Sequence, residues 1–222
     1  MKVRLISSSK PSREMYSEGL TDVQELIAFC AKVSNPSGQF NLETSERLLK
    51  YLIKHSHWSP LEMASATIEI TTTRDIARQI LRHRSFSFQE FSQRYADPTK
   101  DLDFVIREAR LQDTKNRQNS IDTDDAVLQS WWDAKQKFII DQVKEIYTEA
   151  IEKGIAKEQA RAILPEGNTV SRLYMSGTIR SWIHFIQLRS GNGTQKEHME
   201  IAREVAKVIA EIFPLATEFV ES

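Results

Sequence analysis

Within the fourteen residues Arg82-His83-Arg84-Ser85-Phe86-Ser87-Phe88-Gln89-Glu90-Phe91-Ser92-Gln93-Arg94-Tyr95, the chain places three arginines, a histidine, a carboxylate and three serines. Guanidinium groups bind phosphate in bidentate fashion and stay charged at any working pH. Serine hydroxyls and backbone N–H groups complete an anion cradle. Glu90 would repel phosphate but can accept from a sugar hydroxyl or a base N–H, so the stretch fits a ligand with separate anionic and neutral ends, as a nucleotide has. Taken alone, it fits equally a solvated basic helix end followed by a turn.

Other chemistries are weaker. His55, His57 and Glu62 could belong to a metal-dependent nucleotide hydrolase, but two histidines two apart in a loop are a poor zinc signal, and no carboxylate cluster for Mg²⁺ accompanies them. No metal site is expected. Cys30, the single cysteine, sits in the apolar run Phe29-Cys30-Ala31 with nothing to lower its pKa, so it reads as a core residue and not a nucleophile. Ser92 has no base placed by the sequence to activate it and reads as a ligand contact. A helical nucleic-acid binder could use Arg74, Arg78, Arg82, Arg84 and Arg94 with neighbouring phenylalanines for stacking. A net charge of −1 and Glu90 inside the cluster argue against it, so no nucleic-acid partner is expected. No Gly-x-Gly-x-x-Gly fingerprint marks a Rossmann crevice.

The elements that must hold these residues read as α+β: a helix-dominated single domain over residues 1–222 with a small, mainly antiparallel sheet. Val3–Ile6 reads as an edge strand. Thr21-Asp22-Val23-Gln24 reads as a capping box opening a helix to about Ser34, with Leu26, Ile27, Cys30 and Val33 inward. A second helix covers about Leu42–His55, and Ala64–Thr73 reads as a strand. From Arg74 the period becomes helical, with Ile76, Ala77, Ile80 and Leu81 on one stripe and Arg74, Arg78 and Arg82 four apart beside it. Gln112–Asp125 reads as a loop. Ala126–Lys153 is the longest helix, with Leu128, Trp131, Phe138, Ile139, Val143, Ile146 and Ala150 inward and Gly154 as its C-cap. A short helix spans Lys157–Leu164. Ser171–Leu188 reads as a helix carrying Arg172, Ser176, Arg180 and His184 as a polar stripe. Thr194-Gln195-Lys196-Glu197 reads as a capping box for a last helix. The polar N-terminal Ser7-Ser8-Ser9-Lys10 leaves no room for a signal peptide, and no run is long enough to span a membrane, so a cytoplasmic protein is expected.

Arg82-His83-Arg84, seven residues, Ser92, then Arg94-Tyr95 resembles the signature of the flavin-dependent thymidylate synthases. His57-Trp58-Ser59-Pro60-Leu61-Glu62 is similar to the family's His-x-[Ser/Thr]-Pro-x-Glu stretch. Ala160-Arg161-Ala162-Ile163-Leu164-Pro165 and Thr178–Arg189 resemble two further family segments. The resemblance covers about His57 to Arg189. Thr178 and His184 stand where some members carry Asn.

That resemblance implies conversion of dUMP to dTMP with FAD, 5,10-methylenetetrahydrofolate as carbon donor and NADPH as reductant. It also implies a homotetramer whose active sites are shared between subunits. FAD contacts would come from His57, Ser59, Arg82, His83, Arg84, Glu90, Thr178, Ile179, Arg180 and His184. The dUMP contacts would come from Gln79, Ile80, Leu81, Arg82, Glu90, Phe91, Ser92, Gln93, Arg94, Arg161 and Arg189. Arg189 would be the catalytic group, stabilising ionised uracil in place of a cysteine nucleophile.

Overall fold

The computed structural model describes residues 1–221. In chain order its elements are β1 (Lys2–Ser8), α1 (Arg13–Ser17), α2 (Val23–Ala31), α3 (Ser45–Lys54), β2 (Ser65–Thr73), α4 (Arg74–Ile80), β3 (Ser87–Glu90), α5 (Pro98–Asp101), β4 (Arg110–Gln112), β5 (Ser120–Asp122), α6 (Ala126–Glu152), α7 (Lys157–Ala160), β6 (Val170–Thr178), α8 (Ile179–Arg189) and α9 (Lys196–Ala210). Four strands form an antiparallel sheet in the order β1-β2-β6-β3, and β4 and β5 make a separate hairpin. The α+β reading and the small antiparallel sheet hold.

Alternation explains which face of the sheet is covered. Ala66, Ile68 and Ile70 of β2, with Leu173 and Met175 of β6, point into the core. There they meet Ile76, Ala77 and Ile80 of α4, Trp182, Ile183, Phe185 and Ile186 of α8, and Ile201, Val205 and Ile209 of α9. Full burial of each large apolar side chain stabilises by about 1.5–3 kcal/mol. The indole of Trp182 donates to the Ala66 carbonyl at 3.2 Å, so the largest core residue buries no unpaired polar atom. A smaller cluster of Val143, Tyr147, Ala160 and Leu164 fastens α6 to α7.

Several sequence-based expectations are corrected. Ser171–Leu188 is not one helix. It is β6 followed directly by α8, so Arg172 and Ser176 lie on a strand and the four-residue polar stripe does not exist. The cap of α2 is Asp22, whose side chain accepts from the Glu25 N–H at 2.8 Å, while Glu25 receives the Thr21 N–H and hydroxyl. The box is therefore shifted by one residue, and Val33 is exposed. At α9 the N-cap is Gln195 and no side chain caps it. Gln112–Asp125 contains β5 and the end of β4. In α6 the buried face is Gln136, Ile140, Val143 and Tyr147, while Trp131, Phe138, Ile139 and Ile146 are exposed. Among the described residues no helix is long and apolar enough to cross a membrane.

Candidate active site

Strands β2 and β6 each run into a helix with no intervening loop, at Thr73–Arg74 and Thr178–Ile179. The strands are antiparallel, paired from Ser65↔Thr178 to Thr73↔Val170, so α4 and α8 set out from opposite ends of the pair. At 1.5 Å per residue they extend about 10 and 16 Å. Together that nearly matches the roughly 30 Å of a nine-residue strand. Their C-terminal ends therefore converge, and His83, just past α4, meets Arg189, the last residue of α8.

The Nε of Arg189 donates to Nε2 of His83 at 2.9 Å. His83 is buried edge-on against Phe185, with ring centroids 5.0 Å apart. Burial, with the charges of Arg189, His184 and Arg82, lowers its pKa to about 4. The imidazole is thus neutral and can accept. Around this pair lies a cleft of about 610 Å³ lined by Glu62, Arg82, His83, Arg84, Ser85, Arg180, Ser181, His184, Leu188 and Arg189. Arg180 is ion-paired to Glu62. Ser181 donates to the Ser85 carbonyl at 3.2 Å, tying α8 to the arginine segment. The side chains of Arg82 and Arg84 find no hydrogen bond or ion pair among the described residues. Unpaired guanidinium groups gathered in a cleft form an anion site.

A second cluster lies beyond β3. Glu90 accepts from Ser171 Oγ at 2.8 Å and is 3.6 Å from an Nη of both Arg74 and Arg78. Glu166 also faces those two arginines. The backbone N–H of Phe91 donates to Arg172 at 2.8 Å. Ser92 Oγ accepts from the Arg94 N–H at 3.4 Å, and Arg94 pairs with Glu158 at 3.3 Å. Arg161 Nε donates to the Glu158 carbonyl at 3.3 Å, so Arg94 and Arg161 meet at α7. Gln93 is buried with its Nε2 unpartnered among the described residues. The four residues of β3 span about 13 Å, and Ser92, Arg94 and Arg161 do not line the cleft around Arg189.

The family model described as "Thymidylate synthase complementing protein" matches residues 18–215. A probable flavin-dependent thymidylate synthase of Paramecium bursaria Chlorella virus 1 is 50% identical over 96% of each chain. A flavin-dependent thymidylate synthase of Synechocystis is 48% identical over the full length of both. The chain belongs to the flavin-dependent thymidylate synthases. Its fold is also that of the UMP/dUMP methylase PolB from Streptomyces cacaoi, crystallised with 5-bromo-UMP. That likeness has a TM-score of 0.81 and 24% identity, covering 98% of this chain and 92% of the other.

In this flavin-dependent thymidylate synthase, the structure brings Arg82, His83, Arg84, Arg180, His184 and Arg189 to one cleft. Thr178 is the N-cap of α8, its Oγ1 accepting from the Ser181 N–H at 3.3 Å. His57 and Ser59 lie on the exposed turn after α3, outside the cleft lining. Ile80 and Ile179 are fully buried, so only their backbone atoms can face a ligand. Gln79 and Leu81 are half-buried at the end of α4. Sequence reasoning missed Ser181 and the Glu62–Arg180 pair, whose partners stand 118 residues apart. It also missed Glu166 and His198. Of these, the acid Glu166 directly after Pro165 offered a signal, because two basic residues on α4 needed counter-charges.

Proposed function

We propose that this chain converts dUMP to dTMP, holding FAD in the Arg82–Arg189 cleft and taking its carbon from 5,10-methylenetetrahydrofolate and its reducing equivalents from NADPH. The observation that carries this is Arg189, a guanidinium oriented through Nε by a neutral histidine while its Nη groups remain unengaged among the described residues. The cleft suits a flavin dinucleotide: Arg82 and Arg84 are unpaired cations for a pyrophosphate, and its one lining carboxylate, Glu62, is already paired with Arg180. His184 and Ser181 supply further hydrogen-bonding groups beside them. When bound and reduced, FAD supplies the hydride that turns a transferred methylene into methyl.

The protein's own contribution is binding and electrostatics. The planar fork of Arg189 matches the carbonyl–N–carbonyl edge of uracil and stabilises its deprotonated form, an interaction that strengthens as charge develops. Ser92, Arg94 and Arg161 receive the phosphate, and Glu90, with Phe91 and Gln93, the sugar and ring. Arg94 already pairs with the Glu158 carboxylate, and Arg161 with the Glu158 backbone carbonyl, so phosphate binding at Arg94 exchanges a carboxylate for a ligand oxygen. Because the two halves stand apart within one chain, each active site joins the Arg189 cleft of one subunit to the Ser92–Arg94 cluster of another in a homotetramer. Apolar side chains left outside on α6 support assembly.

Purified protein should be yellow and should form dTMP from dUMP, methylenetetrahydrofolate and NADPH. Colourless protein that takes up no added FAD overturns the reading.

A further inference from the structure

His198, the third residue of α9, is fully buried. Its Nδ1 lies 3.3 Å from Oε1 of Gln79, at the end of α4. Gln79 donates through Nε2 to Oε1 of Gln195 at 2.7 Å. Gln195 donates through its own Nε2 to Glu197 at 2.9 Å, and Glu197 is ion-paired with Arg110. These five side chains form one hydrogen-bonded chain from β4 to the end of α4.

The direction of every bond in it is forced. Held by Arg110, Glu197 is a carboxylate and can only accept. Gln195 must therefore turn its NH₂ toward Glu197 and its carbonyl toward Gln79. Gln79 must answer with its NH₂, which leaves its carbonyl facing His198. The proton of His198 then sits on Nδ1, and Nε2 carries a lone pair. That Nε2 is buried without a partner among the described residues. A buried acceptor left unpaired is destabilising, so a histidine at this position is not explained by stability. Burial, then the charges of Arg189, His83 and Arg82, lowers its pKa to about 3 and keeps the second proton off.

We propose that His198 is a positioning residue for the nucleotide. Its Nδ1–H fixes the rotation of the Gln79 amide, so that the remaining N–H and lone pair of Gln79 present one donor–acceptor pattern to the nucleotide. Gln79 suits this task because its backbone carbonyl also accepts from the Arg82 N–H, at 3.3 Å. Holding its side chain to α9 thus holds the start of the Arg82–Arg84 segment. The assignment rests on the dUMP reading above.

The test uses three variants of the FAD-loaded protein, with dUMP as probe. Asn places its amide nitrogen near the position of Nδ1 and lacks Nε2. Gln reaches toward Nε2, and Leu has no donor. Loss of the one hydrogen bond is expected to weaken dUMP binding by about tenfold in His198→Leu and His198→Gln, with His198→Asn within about threefold of the parent. FAD content should be unchanged in all three. Equal affinities across the set, or equal losses in all three, overturn the proposal. If His198→Leu fails to fold, Asn against Gln decides. Nitrogen-15 NMR of the parent reads the tautomer directly and without ligand, and a proton on Nε2 overturns the chain of assignments. Parent protein that binds no dUMP while His198 carries its proton on Nδ1 marks failure of the functional reading, and with it of the nucleotide role, but not of the hydrogen-bonded chain.

Discussion

Arg189 donates from Nε to Nε2 of His83 over 2.9 Å, and this bond constrains both side chains. His83 must be neutral with its proton on Nδ1, and the guanidinium plane of Arg189 is set by the ring it leans on. Lysine at this position keeps a charge but loses both the fork and the Nε–H. Arg189→Lys is therefore expected to keep FAD and its colour, bind dUMP more weakly, and lose about 10²–10³-fold in rate. Single-turnover dTMP formation by pre-reduced enzyme at saturating dUMP and folate reads this. A rate near that of the parent would remove Arg189 from the chemistry.

The buried histidines predict acid sensitivity. Both His83 and His198 titrate well below the ordinary value of 6.5, at about 4 and about 3. As pH falls below about 6.5 the unfolded chain takes up protons that the folded chain refuses, so stability declines, down to about pH 4 for His83 and about pH 3 for His198. The slope is at most about 1.4 kcal/mol per pH unit for each histidine. Urea midpoints at pH 7.5 and pH 5 should show the decline, and His198→Asn should make it shallower. A midpoint that does not move over this range would show that neither ring is held neutral by the fold.

Ser92 accepts a hydrogen bond from the Arg94 backbone at 3.4 Å, and no general base contacts its hydroxyl among the described residues. Ser92→Ala should raise the dUMP dissociation constant several-fold, consistent with loss of one hydrogen bond, and leave turnover measurable. Mass spectrometry of enzyme quenched during turnover should find no nucleotide on Ser92, and a Ser92-linked adduct would make it a nucleophile.

On α6, at 100° per residue, Val127, Trp131 and Phe138 fall on one stripe opposite the buried row of Gln136, Ile140, Val143 and Tyr147. All three are more than half exposed, at 81%, 53% and 62%. Paired glutamates at Trp131 and Phe138 should leave the chain folded, lower its mass in sedimentation, and reduce FAD uptake in proportion. An FAD-loaded, active monomer would refute the shared-site assembly.

The arginine-rich segment was legible because its residue types are so unusual together, and α4 and α6 were legible from long apolar periods. Strand β6 was not. Leu173 and Met175 alternate with Arg172 and Tyr174 over only a few positions before Ile179 begins a true helical stripe. Arg172, Ser176, Arg180 and His184 then stand four apart by coincidence across the junction. Thr169-Val170 and Gly177 were the signals of a strand. Gly177 is also where Phe86 packs on β6, so closely that an added Cβ would collide with its ring. Such long-range packing leaves no trace in local periodicity. In α6, the sequence pattern points Trp131 and Phe138 inward, because periodicity cannot distinguish an apolar side chain buried in the core from one left on the surface.

The convergence of α4 and α8 has an electrostatic corollary. Both helices present their carbonyl ends to the junction of His83 and Arg189, and such an end carries about half a negative charge. The cations crowded there are therefore balanced in part by the peptide backbone, a counter-ion that occupies no space in the cleft and cannot be displaced by an incoming anion. Each such contact contributes about 0.3–1 kcal/mol. Side-chain carboxylates in that place would have bound the arginines and closed them to a ligand. Oriented peptide groups moderate their mutual repulsion and leave them available.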